Sequence, residues 1–149
     1  MQESLEREAK GRALNRAELE AVILSVAQQV PPTYRLHSYL INAGTAITPT
    51  AHIVLEKAGE KLSGLCAGDG PIDAAFLAIE QIIGQHYELD DFQIASVTQN
   101  REAMGEALVR LRKGGKIYAG KGISTDIIGA AIRAYINALN RIAYEEKMV

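Results

Sequence analysis

The sequence has one cysteine, no tryptophan and two phenylalanines, and aromatic residues make up only 5% of it. The lone Cys66 excludes an internal disulfide framework and any multi-cysteine metal site, and it fits a cytoplasmic setting. Histidine is equally sparse. His37, His52 and His86 form no His-x-His or His-x-x-x-His pair, so neither a metal site nor a cofactor is expected in this chain. Charge of one sign is missing as well: 16 basic residues stand against 18 acidic ones, a net charge of -2, which points away from nucleic acid or an anionic membrane as partner. The basic stretch Arg110–Lys116 has only Tyr118 as a nearby aromatic and reads as the solvated end of a hairpin. No apolar run reaches the length of a membrane span, and the opening Met1–Arg7 is charged, unlike a secretory signal.

What is present is an ordinary globular composition, 149 residues with 48% hydrophobic, enough for one domain with an N-terminal appendage. Residues 1–32 read as linker helices. Leu5–Leu14 is charge-rich, and Asn15 with Glu18 offers a capping box for a helix over Ala17–Gln29. That helix places Leu19, Val22, Ile23 and Val26 on one face and stops at Pro31-Pro32. From residue 33 onwards the pattern changes to strands.

Tyr34–Ala43, Ala51–Lys57 and Lys61–Ala67 are predicted strands, the second alternating as one half-buried face requires, with turns at Gly44–Pro49 and Ala58-Gly59. A helix follows from Pro71 to about Gly84. The order then repeats. Strands are predicted over Asp91–Thr98, Gly105–Arg112 and Lys116–Ala119, with a Gly114-Gly115 hairpin, and a long helix over Thr125–Glu146 carries Ile127, Ala131, Ala134, Tyr135, Ala138, Leu139 and Ile142 on one stripe. The expected fold is α+β, two pseudo-symmetric βββα units over about 34–86 and 91–146.

Each predicted helix follows a glycine-rich stretch, Gly68-Asp69-Gly70-Pro71-Ile72-Asp73 in the first unit and Gly120-Lys121-Gly122-Ile123-Ser124 in the second. A Gly-x-Gly turn at a helix start exposes backbone N–H groups at the positive end of the helix dipole, a place for a carboxylate or phosphate. The plain alternative is that glycines make turns while Asp73 and Ser124 cap helices. Gly115–Lys121 fits the first part of a P-loop, but Gly122 stands where Ser or Thr belongs, and the Rossmann pattern is incomplete. Asp73 and Asp126 would repel phosphate and pair with an ammonium. The mixture suits the head of an amino acid. No nucleophile, base and orienting group assemble from local spacing, so catalysis is not expected of this chain.

The ordered series Gly68-Asp69-Gly70-Pro71-Ile72-Asp73-Ala74-Ala75, Asp91-Phe92, Val97-Thr98, Ala103-Met104-Gly105-Glu106-Ala107, Gly120–Ile128 and Ala134–Arg141 resembles the C-terminal regulatory domain of the 2-isopropylmalate synthase and citramalate synthase family. The resemblance implies a homodimer that binds leucine and feeds back on a metal-dependent catalytic barrel absent from this sequence. Isoleucine is the corresponding effector if the parent is a citramalate synthase, and a dimerisation module without ligand is the further alternative. The effector site it implies comprises Gly68, Asp69, Gly70, Pro71, Ile72 and Asp73, with Ser96 and Gly105 on the following strands. Helix spacing adds Ala75 and Ile79, and the internal symmetry adds Gly120, Gly122 and Ser124.

Overall fold

The computed structural model describes residues 30–99 and 102–148; the two predicted N-terminal helices, Leu5–Leu14 and Ala17–Gln29, lie outside them. Two three-stranded antiparallel sheets each lead into a helix. The first sheet is β1 (Arg35–Asn42), β2 (Thr50–Lys57) and β3 (Glu60–Ala67), followed by α1 (Pro71–Ile83). The second is β4 (Glu88–Gln99), β5 (Glu102–Lys113) and β6 (Lys116–Ser124), followed by α2 (Ile127–Met148). The α+β architecture of two βββα units is thus the one the alternation of the sequence predicts.

The central strands carry the cores of both units. Ala51, Ile53 and Leu55 of β2 are fully buried, as are Ala107, Val109 and Leu111 of β5. Period-two alternation turns these side chains towards the helices and their neighbours away. Each helix lies over the second and third strands of its own sheet, α1 on β2 and β3, α2 on β5 and β6. The first strand of each sheet touches the helix of the other unit. Phe92 of β4 meets Phe76 of α1 edge-on at 5.6 Å, and Tyr39 of β1 reaches the start of α2.

The helices approach the sheets closely because glycine faces them. A Cβ on Gly64 would fall inside contact distance of the Ala78 carbonyl, and one on Gly120 inside that of Ala134. The small residues Ala74, Ala75 and Ala78, and Ala130, Ala131, Ala134 and Ala138, are fully buried at these contacts. This pairing also fixes how the duplication superposes. Gly64 corresponds to Gly120 and Ala78 to Ala134, while the hairpin residues Ala58-Gly59 correspond to Gly114-Gly115, all four with positive φ.

The same superposition matches two edge contacts. Gln81 of α1 accepts a hydrogen bond from the Leu65 N–H of edge strand β3 at 2.8 Å, and Asn137 of α2 donates to the Lys121 carbonyl of edge strand β6 at 2.6 Å. Each helix therefore occupies a backbone group that would otherwise be free to pair with another strand.

The basic hairpin is more than a solvated end. Arg110 pairs with Asp91 at 2.7 Å, Arg112 with Asp90 at 2.5 Å, Lys116 with Glu145 at 2.6 Å, and Lys113 with Glu146. Lys116 and the Tyr118 hydroxyl hold the Glu145 carboxyl below its ordinary range. With each cation matched to an acid, the stretch offers no basic patch.

Candidate functional site

The structure gathers some of the candidate residues at two corners, one at each helix start, and places the others between helix and sheet. At the first, the turn Gly68-Asp69-Gly70 joins β3 to α1, and the Gly68 N–H donates to the Pro49 carbonyl at 3.0 Å. Gly68 has to be glycine: a Cβ there would lie 2.5 Å from the Ala74 nitrogen and 2.7 Å from the Asp73 carboxylate. Asp73, at the third helical position, reaches back past the cap to accept the Asp69 N–H at 2.9 Å. Gly70 is the N-cap, in extended backbone with φ -151, followed by Pro71 at the head of the helix. No side chain caps α1, and a Cβ on Gly70 would meet nothing within 4 Å. The Ile72 and Asp73 N–H groups of the first turn therefore have no side-chain cap, and the half-buried Pro71 and Ile72 and the exposed Asp69 and Asp73 surround the helix start. Chemically, this corner combines backbone donors for an anion with carboxylates for a cation.

The second corner corrects two expectations. Gly120 and Gly122 are not part of a turn, because β6 runs on to Ser124. Both are buried strand glycines; a Cβ on Gly122 would collide with the Ala130 carbonyl just as one on Gly120 would with Ala134. The Gly-x-Gly likeness to Gly68–Gly70 arises from helix-to-sheet packing, and the structural counterpart of Gly120 is Gly64. The expected cap, Ser124, is the last strand residue. Asp126 caps α2 instead: its Oδ1 accepts the Gly129 N–H at 2.6 Å and its backbone carbonyl accepts that of Ala130.

Ser96, Gly105 and Ser124 form one row across the second sheet, Ser96 opposite Gly105 and Gly105 opposite Ser124. This row ends beside the start of α2, where a Cβ on Gly105 would lie 3.1 Å from the Ile127 Cα. Tyr39 closes the corner by donating its hydroxyl to the Asp126 Oδ2 at 3.0 Å. Burial, followed by that hydrogen bond, pushes the Tyr39 pKa up. The α2 start is thus capped by the protein's own carboxylate, whereas at the α1 start the Asp73 carboxylate holds the Asp69 N–H and caps no first-turn amide.

Ala75 and Ile79 lie elsewhere. Both are fully buried among the core residues, between helix and sheet. Ile127, placed on the apolar stripe of α2 by its spacing, is 39% exposed at the second corner. Sequence reasoning missed Tyr39 and Pro49, because nothing local ties a strand tyrosine or a loop proline to a helix start far along the chain. Asp126 was visible as a capping type one residue before an apolar run. Among the described residues, no group of three or more metal-ligating side chains comes together.

A family model described as the LeuA allosteric (dimerisation) domain matches residues 13–143. The chain is also similar to proteins named 2-isopropylmalate synthase. One from Carboxydothermus hydrogenoformans is 40% identical over 137 residues, covering 91% of this chain and 27% of the relative. One from Clostridium kluyveri is 39% identical over 136 residues, with 91% and 26% covered, and one from Prochlorococcus marinus is 36% identical over 137 residues, again 91% and 26%. The chain therefore spans about a quarter of the length of these relatives.

Proposed function

The chain belongs to the LeuA allosteric (dimerisation) domain family, and from that premise we propose that it is the amino-acid-binding regulatory domain of a 2-isopropylmalate synthase. In this reading it works as a homodimer and mediates feedback inhibition by leucine. The observation that carries it is the unequal capping of the two helices. The α1 corner leaves first-turn amides without a side-chain cap, beside Asp69 and Asp73, in a family described as allosteric.

In this reading the amides beyond Gly70 hold the effector's carboxylate, and Asp69 or Asp73 its ammonium. Pro71 and Ile72 offer half-buried apolar surface to the branched side chain. Ser96, Gly105 and Ser124 belong to the second corner, in one row beside the start of α2. The cited relatives are all named 2-isopropylmalate synthase, which favours leucine over isoleucine as effector. Inhibition then requires leucine to bind one arrangement of the domain better than another and to pass that difference to the catalytic part.

Thermal unfolding with leucine, isoleucine, valine, lysine, acetyl-CoA and ATP tests the reading. A ligand at a hundred times its Kd adds about 2.7 kcal/mol, which raises Tm by several degrees. A rise with leucine that is largest among the six supports the proposal. Equal Tm values throughout would leave a dimerisation module without this ligand.

A further inference from the structure

The second unit continues where the first stops. Helix α1 ends at Ile83, with Gly84 in the left-handed region at φ 69. The superposition that sets Ala78 on Ala134 puts Gly84 on Asn140, yet α2 runs on to Met148. This added length carries Asn140, which is only 5% exposed and is the buried polar side chain among the described residues. Its side-chain oxygen accepts the N–H groups of Thr33 at 3.0 Å and Tyr34 at 2.7 Å, and its amide donates to the Tyr34 carbonyl at 3.0 Å. Lys147, two turns further, reaches the Thr33 hydroxyl at 3.2 Å.

An asparagine here holds a peptide as a neighbouring strand would, accepting from it and donating to it with one side chain. The peptide held is the segment that follows Pro31-Pro32 and leads into β1. The prolines fix φ and supply no N–H, so they transmit direction with little slack. A buried amide left without partners would be costly. The contact therefore resists sliding and behaves as a fixed joint.

We propose that Asn140 is the positioning residue that joins α2 to the incoming chain, so that a displacement of α2 on effector binding is delivered to whatever precedes Pro31. The proposal rests on the regulatory reading above and adds its route. The second unit, by this argument, carries the output, while the uncapped first corner takes the effector.

Amide hydrogen exchange on the 149-residue chain, with and without leucine, tests it. In the wild type, Thr33 and Tyr34 are protected, and leucine slows exchange there and upstream. Asn140→Leu removes all three bonds, and exchange at Thr33 and Tyr34 rises roughly tenfold or more. Leucine still raises Tm in this variant, but residues before Pro31 no longer respond. Asn140→Asp keeps the two accepting bonds and gives an intermediate result. If Asn140→Leu fails to fold, Thr33→Pro removes one donor from the peptide side and leaves the helix untouched. Unchanged exchange at Tyr34 in Thr33→Pro and at both residues in Asn140→Leu overturns the joint. An upstream leucine response that survives loss of protection overturns the route. If leucine changes nothing in the wild type, the leucine reading fails, and the joint stands or falls on protection of Thr33 and Tyr34 alone.

Discussion

Set on one another, Gly64 on Gly120 and Ile53 on Val109, the two βββα units agree wherever helix meets sheet and disagree wherever the helix meets something else. Both have a glycine pressed against helix backbone, a tight hairpin with positive φ, a buried triplet on the central strand and a helix side chain on the edge strand. They differ at the helix start, open at Gly70 but closed by Asp126 and Tyr39. They differ mid-helix, where Ile79 of α1 is replaced by Tyr135, and at the helix end, where α1 stops at Gly84 and α2 continues through Asn140. Packing geometry preserves the shared set, since any added atom there displaces backbone. The ends are free to diverge, and the proposed division into a receiving and a transmitting unit rests on that divergence.

The glycine contacts give the strongest test of the shared set. Gly120→Ala and Gly64→Ala are each expected to cost about 3 kcal/mol, the upper part of the overpacking range, because the new methyl group meets helix backbone. Urea unfolding reads this directly, and equal losses in the two units would show that one packing rule serves both. At the helix starts, Asp126→Ala should cost about 1–2 kcal/mol through loss of the cap. Gly70→Ser, by contrast, changes stability by only a few tenths of a kcal/mol, in the stabilising direction. Its hydroxyl would occupy the first-turn amides, so the leucine-dependent rise in Tm should shrink. An undiminished rise would move the effector away from this corner.

The Ile79–Tyr135 difference can be tested through pH. The Tyr135 hydroxyl is buried without a hydrogen-bond partner, and burial, with the nearby Glu80 carboxylate, pushes its pKa well above the ordinary tyrosine value of 10.0. A raised folded-state pKa means that this contribution to stability is complete below about pH 10 and is lost as pH climbs beyond it. Tyr135→Phe should therefore gain about 1 kcal/mol near neutrality by removing the unpaired hydroxyl. It should also lose less stability than the wild type between neutral and strongly alkaline pH. The smallest effect belongs to the hairpins. Ala58 holds φ 52 where the second unit has Gly114, so Ala58→Gly should stabilise by about 0.5 kcal/mol, net of the entropy glycine adds to the unfolded chain. A loss in place of that gain would show that Ala58 has a contact Gly114 lacks.

Both units, their strand order and the buried faces of β2, β5 and α2 were legible because they depend on local period. Alternation along Ala51–Leu55 and Ala107–Leu111 selects one sheet face, and 3.6-residue spacing in Ala131–Ile142 selects one helix stripe. The glycine turn before α1 and the Gly114-Gly115 hairpin were legible for the same reason: their conformation follows from three or four adjacent residues. The second glycine pair was misread by that same local logic, since Gly120-Lys121-Gly122 has the composition of a turn. Only the proximity of the Ala134 and Ala130 carbonyls reveals its glycines as packing sites on a continuing strand.

What the sequence by itself determined, then, is what neighbours along the chain set: the α+β class, the repeat and the helix start at Gly70–Asp73. The tertiary structure alone decided the contacts between distant segments. Tyr39 meets Asp126, Pro49 receives the Gly68 amide, and Asn140 holds Thr33 and Tyr34, 107 and 106 residues earlier in the chain. Periodicity gives each element its inward face. It carries no information on which inward faces meet, because that depends on burying all of them at once.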